Sequence, residues 1–397
     1  MVSIPQKTIL TRSILVLAAI IFAAILLETG MRLFLPQPQN LAKLSASKIF
    51  IHENKPGEIF KTKTEMFGNL KIYMNSSGFR DSEFSKSKDP DTIRIAILGD
   101  SFEEAMQMPL DYRWPKLMQE KLRVLLDKKT AVYNFGVSGY GTDQEWLVLK
   151  HKVLAFKPDI VLLAFSPNDV GDVYKNRLVL NQNGSLKINP PEKRSSANWL
   201  GTNVRRLYLY QYIAPLFAKN KTTSGYFQKF RTKILGMSPE DDRFTLSDAQ
   251  LLEGPFEVIA SRQNPPPEVL EAWETIRLIL LDMQEIALDN GAKFAVTINV
   301  PGTQALPAKR QEIVNQYNLP AGSNANEINL DLIKICGEIN LTCHDPFTNA
   351  GEYFKNNGTI YLKYDGHFNL NGHKFMAQDT INFLLDQNLL ETPPEAK

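Results

Sequence analysis

The sequence predicts an α/β fold of three layers, α/β/α, in which a parallel sheet is covered by helices on both faces. One N-terminal transmembrane helix precedes it and a mainly helical insertion interrupts it. Short apolar, β-rich runs occupy residues 93–98 (IRIAIL), 131–135, 160–165 and 294–300, and helical patterns occupy 145–154 and 268–290. Strands that alternate with helices imply parallel pairing, because each crossover must carry the chain back over one face of the sheet. The third observation is an unbroken apolar run near the N-terminus, which no surface helix tolerates.

The 397 residues are 43% hydrophobic and 22% charged, an ordinary globular mix that excludes a disordered, collagen-like or disulfide-dense chain. Lysine and arginine (45) nearly balance aspartate and glutamate (43), with no block of five or six like charges. A nucleic-acid partner is therefore not expected.

Taken in order, residues 14–27 (ILVLAAIIFAAILL) lie between Arg12 and Glu28. Counting from Ile9, with Arg12 snorkelling, the stretch to Leu27 reaches 19 residues, close to the roughly 20 needed to span a bilayer. An uncleaved signal anchor over residues 1–35 is the favoured reading. A cleaved signal peptide and a buried core helix are the others, although no clear A-x-A site or lipobox cysteine follows. Lys7 and Arg12 before the span nearly tie with Arg32 and Lys43 after it. The free amino terminus tips the balance, leaving the N-terminus cytoplasmic and the rest extracytoplasmic.

Residues 36–90 read as a linker, with Pro36 and Pro38, and an N-terminal extension that includes the strand-like LKIYMNSSGFR. The main domain is expected over 91–390, with an insertion at about 173–267 and a polar tail at 391–397. That insertion is too long for an ordinary loop, so a lid-like helical subdomain is expected. Its aromatics Tyr208, Tyr210, Tyr212 and Phe217 have helical spacing, which favours packing onto the main domain over substrate contact. Further helices are expected at 311–316, 327–338 and 371–387. Cys336 and Cys343, the only two cysteines, can pair if a turn brings them together; two buried thiols are the other reading.

Three strand candidates end in polar groups: Gly99-Asp100-Ser101, then NFGVSGYG from Asn134 to Gly141, then Ser166-Pro167-Asn168-Asp169. Far downstream, YDGHFNLNGH carries Asp365, His367 and His373. In open parallel sheets the crevice beyond the strand C-termini binds ligands, so these groups are expected to converge there. A serine on a strand-to-helix turn, activated by His367 with Asp365 orienting the imidazole, is a candidate nucleophile. The backbone N–H of Ser101, that of Gly139 and the Asn168 amide are candidate oxyanion donors.

This succession of blocks resembles the SGNH hydrolases, also called the GDSL lipase/esterase family, over roughly residues 94–383 without the insertion. The resemblance implies the flavodoxin-like fold of that family, with Ser101 as nucleophile, Gly139 and Asn168 as the oxyanion hole, and Asp365 and His367 completing the triad. Two blocks depart from the pattern. Ser166-Pro167 stands where Gly-x precedes the Asn, and Asp365 is separated from His367 by Gly366 alone. The shorter Asp-x-His spacing resembles the alginate O-acetyltransferase-like branch. MNSSGFRDSE joined to an anchor is similar to membrane-anchored bacterial members of the family.

The expected activity is hydrolysis of acyl esters, O-acetyl above all, of a small molecule or polysaccharide. O-acyl transfer to an exported polysaccharide and a non-catalytic binding role are the alternatives. A metal-dependent phosphoesterase would draw on Asp100, Asn168, His367 and His373. The chain has only five histidines, and His52, His151 and His344 lie outside the motifs, so no metal and no cofactor are expected. Nothing in the pattern specifies an oligomeric state.

Overall fold

A computed structural model describes residues 6–34, 45–190, 207–219, 224–235, 267–306, 326–363 and 366–391, with residues 204, 265, 311 and 315 between them. The chain divides into two units: residues 41–192 with 252–397, and residues 1–40 with 193–251.

The larger unit opens with two small antiparallel hairpins, β1 (Ser45–Ser47) with β2 (Ile51–Glu53), and β3 (Ile59–Thr64) with β4 (Gly68–Tyr73). Its central sheet comprises β5 (Ile93–Leu98), β6 (Thr130–Asn134), β7 (Ile160–Phe165) and, after a hairpin of β8 (Val179–Gln182) and β9 (Ser185–Ile188), β10 (Lys293–Ile298) and β11 (Cys343–His344). All five sheet strands are parallel, in the order β11-β10-β7-β5-β6. Numbered by appearance within the sheet, this is the 2-1-3-4-5 order of flavodoxin-like folds, whose chain direction switches between β5 and β7.

The period-2 alternation of strands divides the core into two layers. Ile93, Ile95 and Ile97 pack against Trp114, Met118 and Leu122 of the helix Trp114–Leu126 and against Phe375, Met376 and Ile381 of the C-terminal helix Leu370–Asp386. Ala96 and Leu98 face the opposite layer, where Leu147 of Thr142–Val148 and Ile276, Leu280 and Met283 of Pro267–Asp289 lie. Both faces of β5 and β7 are buried along their whole length, hence the continuous apolar runs. This is the three-layer architecture that the alternation predicts.

Several details differ from expectation. The helical pattern at 145–154 is a helix at Thr142–Val148 that widens into a π-turn at Leu149–Val153. The stretch LKIYMNSSGFR is strand only to Tyr73; beyond it the Asn75 side chain accepts from the N–H groups of Ser77 and Phe79 (3.0 and 2.9 Å) and folds the chain into a turn. Helix Phe347–Asn357 and the two-residue β11 carry no long periodic pattern and are not predicted. Cys336 and Cys343 are disulfide-bonded, Cα to Cα 6.2 Å, tying helix Glu327–Glu338 to β11. Of the expected helix at 311–316 only Gln311 and Asn315 are described, and residues 392–397 of the tail lie outside the described residues.

In the smaller unit, the N-terminal helix (Gln6–Phe34) contains the one stretch among the described residues long and apolar enough to cross a membrane, Arg12–Phe34, by length and composition. With it belong two insertion helices, Tyr208–Lys219 and Ser224–Leu235. Of the expected aromatic face, Tyr208 lies beneath the Arg32 guanidinium, and Tyr210 and Phe217 meet Phe227. Residues 191–203 and 236–264 of the insertion lie outside the described residues.

Candidate active site

At the C-terminal end of β5 the chain turns sharply through Gly99 and Asp100 into the short helix Ser101–Glu104. A capping box holds that turn: the Asp100 carboxylate accepts from Phe102 N–H (2.9 Å), and the Glu103 carboxylate accepts from Asp100 N–H (3.1 Å). Ala105 then takes a left-handed conformation and ends the helix after one turn. Ser101 thus sits at the first helical position, beside the switch point of the sheet.

Ser101 Oγ lies 2.7 Å from His367 Nε2, across 266 residues of sequence. The loop that delivers His367 is built from the rest of its motif. Tyr361 bridges to Phe368 in antiparallel fashion, and Leu362 N–H donates to the His367 carbonyl (3.0 Å). Asn369 donates to the carbonyls of Thr359 and Tyr361 (2.8 and 3.0 Å), while its own side-chain oxygen caps the C-terminal helix at Gly372 N–H (3.1 Å). Gly372 admits no side chain, because a Cβ there would fall on the Ile360 carbonyl and 2.8 Å from Phe368 Cβ. The Tyr361 hydroxyl pins the loop to the end of β10 by donating to the Val300 carbonyl (2.7 Å). The Phe102 and His367 rings meet at 4.8 Å, closing one side of the imidazole.

Asp365 lies outside the described residues. Near the other ring nitrogen, Gln107 Nε2 is 3.4 Å from His367 Nδ1, a neighbour that sequence reading did not single out. His373 is fully buried on the C-terminal helix and accepts from Trp114 N–H through Nδ1 (3.3 Å). Burial pushes its pKa down to about 3, with the Arg113 and Arg80 charges acting in the same sense, so it stays neutral.

The second and third blocks are fastened to the serine turn by carboxylates. Ser138 N–H donates to Glu104 (2.9 Å), as does its hydroxyl, and Asn54 holds the other Glu104 oxygen (2.7 Å). The next residue, Gly139, has φ +75°, a conformation that glycine adopts without penalty. The Asn168 amide donates to Asp172 (2.9 Å) and more loosely to Asp100 (3.3 Å). Among the described residues, no acceptor is paired with the backbone N–H of Ser101 or of Gly139.

Beneath the serine lies a buried polar layer that local sequence does not announce. Glu103 receives Trp114 Nε1 (3.1 Å) and Asn299 Nδ2 (3.1 Å), and Asn299 also reaches Ser166 (3.1 Å). Burial, with the Asp100 charge adding to it, pushes Glu103 up to about 8. Burial likewise raises Glu145 and Asp169 well above the carboxylate range. Asp100 is also raised by burial, opposed by Phe102 N–H and by the nearby His367. These shifts run in one direction, disfavouring negative charge in the floor below Ser101, which lessens repulsion against an anion forming above it.

Arg80, the arginine of MNSSGFRDSE, is buried and donates to the carbonyls of Glu104, Ala105 and Met108, where the short helix ends. Its neighbour Asp81 accepts from Asn134 N–H (2.9 Å) and pairs with buried Arg113 (3.6 Å). The N-terminal extension is therefore part of the scaffold that holds the serine turn. Among the described residues, no group of three or more His, Cys, Asp or Glu side chains is arranged to hold an ion.

No protein-family model matches the chain, and no curated protein does. Among solved structures, the chain is similar to that of TesA, at 14% identity over 75% of this chain and 99% of that one, with a TM-score of 0.36. It is similar to the acetyl xylan esterase AlAXEase at 13% identity, over 73% and 98% of the two chains, with a TM-score of 0.37. The lipase/acylhydrolase from Enterococcus faecalis gives 13% identity, coverage of 76% and 99%, and a TM-score of 0.37.

Proposed function

We propose that the chain is a membrane-anchored, extracytoplasmic serine esterase of the SGNH type that acts on acyl esters, with O-acetyl groups the favoured substrate. The observation that carries this reading is the 2.7 Å approach of Ser101 Oγ to His367 Nε2 at the switch point of a flavodoxin-ordered sheet. Ser101 attacks the ester carbonyl as His367 Nε2 takes its proton; the alcohol leaves with that proton, and an acyl-enzyme remains. His367 then activates water to release the acid. Asp365 is assigned the task of holding the imidazole in the Nδ1–H tautomer and stabilising its charged form.

The oxyanion is assigned to the N–H groups of Ser101 and Gly139 and to the Asn168 amide. Asn168 serves by turning one N–H from Asp100, its longer contact, toward the oxyanion, while the shorter bond to Asp172 keeps it in position. The Cys336–Cys343 disulfide supports an oxidising compartment and hence the extracytoplasmic location. Transfer to a sugar hydroxyl is the second reading, favoured by the short Asp-x-His spacing at Asp365 and His367.

The test is hydrolysis of an aryl acetate by the full chain in detergent, beside Ser101→Ala. Turnover that disappears in the variant supports the assignment. Turnover that survives it removes Ser101 as nucleophile. If neither protein turns over the ester, acetyl transfer onto an added oligosaccharide separates the transferase reading from a binding protein.

A further inference from the structure

The smaller unit carries an arrangement that the esterase reading does not use. From Arg12 to Phe34 the N-terminal helix has 23 residues, a rise of about 35 Å, enough for a hydrocarbon core of roughly 30 Å. Glu28 is the first charged residue after the apolar run, so it falls near the end of that length. Its carboxylate accepts from the N–H groups of Tyr208 (3.0 Å) and Leu209 (2.9 Å), capping the helix Tyr208–Lys219 from 180 residues away. Arg32 bonds Glu28 (2.6 Å) and lies over the Tyr208 ring (4.9 Å). The first turn of the insertion helix is thereby fastened to the last two turns of the apolar helix.

The next helix, Ser224–Leu235, has two faces. Phe227 packs on Phe217 (5.8 Å) and Tyr210 (6.3 Å), and Arg231 and Leu235 on the same stripe are buried. Tyr226, Phe230 and Ile234, spaced i, i+4, i+8, are instead 78%, 48% and 52% exposed, and exposed Lys229 and Lys233 lie beside them. An apolar stripe flanked by lysines, on a helix pair tied to the end of a span, has the character of an interfacial helix. Snorkelling lysines suit the head-group layer, where anionic lipid attracts them.

We propose that these two helices lie on the bilayer, with Tyr226, Phe230 and Ile234 inserted below the head groups and Lys229 and Lys233 directed to anionic lipid. The inference rests on residues 12–34 being a retained span. Continuity with that span selects lipid as the occupant, since Leu33 and Phe34 leave exposed apolar surface at the same end of the helix.

The test uses the full chain in phosphatidylcholine–phosphatidylglycerol vesicles, with the fluorophore NBD on single introduced cysteines; the native pair is oxidised and unreactive. Tyr226→Cys, Phe230→Cys and Ile234→Cys are each expected to lose about half their emission to lipid nitroxides at a depth of roughly 5–10 Å, and Lys229→Cys and Lys233→Cys much less. Ile21→Cys reports the span itself through quenching by nitroxides deep in the acyl chains. Quenching at 21 without the four-residue pattern at 226, 230 and 234 overturns the proposal and leaves the anchor standing. No quenching at any site overturns both. Concentration-dependent cross-linking through position 230 without quenching identifies a second copy as the occupant and also overturns it.

Discussion

Gly372→Ala tests whether the histidine loop is held by close backbone packing. The added Cβ would sit 2.8 Å from Phe368 Cβ and Cδ1, and nearer still to the Ile360 carbonyl oxygen, whereas real Cβ atoms keep at least 3.0 Å. Side-chain rotation cannot relieve a clash with a carbonyl, so the 360–368 backbone must retreat from the C-terminal helix. Overpacking of this kind costs about 1–3 kcal/mol. The same retreat carries His367 off its 2.7 Å contact with Ser101, and a displacement approaching 1 Å at a reacting group costs about a hundredfold in rate. The expected result is a loss of about ten- to a hundredfold in kcat/KM on an aryl acetate, with the urea midpoint lowered. Gly366→Ala is the control, because among the described residues beyond its chain neighbours a Cβ there meets nothing within 4 Å. Full activity in Gly372→Ala would refute the account of the loop, and so would an equal loss in both variants accompanied by equal destabilisation.

Two further outcomes are expected. Arg80→Lys replaces a planar fork that serves the carbonyls of Glu104, Ala105 and Met108 with a single ammonium, so at least one buried carbonyl loses its donor; about 1–3 kcal/mol should be lost by urea unfolding, and esterase rate should fall with it, whereas unchanged stability would sink the assignment. Asp143→Asn addresses pH: burial pushes Asp143 up to about 7 from an ordinary 3.8, so the folded chain keeps a proton that the unfolded chain releases. The stability it contributes is complete below about pH 4 and is lost as pH rises toward 7, by up to roughly 4 kcal/mol. The variant should flatten that decline in urea midpoints between pH 4 and 7, and an identical slope in both proteins would count against it.

Much of the fold and part of the site were legible because each chemistry-bearing block follows an apolar run. IRIAIL leads to Ser101 and IVLLAF leads to Asn168, and parallel pairing brings such strand ends together at one edge. HFNLNGH was legible as a block, although the separate tasks of Asn369 and Gly372 emerge only when the loop lies over the helix start. Glu103, Gln107 and Asn299 were not legible, because nothing near them in the chain separates a buried partner from an ordinary surface residue, and Arg80 lay in the singled-out block MNSSGFRDSE without its contacts being legible. Glu103 has the local look of an exposed helical glutamate, and only burial beside Asn299 and Trp114 makes it a structural centre. The spacing of Tyr208, Tyr210, Tyr212 and Phe217 signalled a packed face and pointed it at the main domain, whereas the described ring contacts are with Arg32 and Phe227, and Glu28, the residue that caps their helix, is remote in sequence.

That remoteness bears on how the chain is made. At a synthesis rate of roughly 5–20 residues per second, Glu28 emerges about 10–40 s before Tyr208 and Leu209, so the N-terminal helix is made well before the helix it caps. A peptidase acting during that interval would strand the insertion without its cap and leave two backbone donors unsatisfied at the start of its first helix. Under the proposed anchoring, retention of the N-terminal helix would therefore serve the insertion's fold as well as the tether. A secreted form engineered by trimming the first forty residues should have its insertion helices removed at the same time.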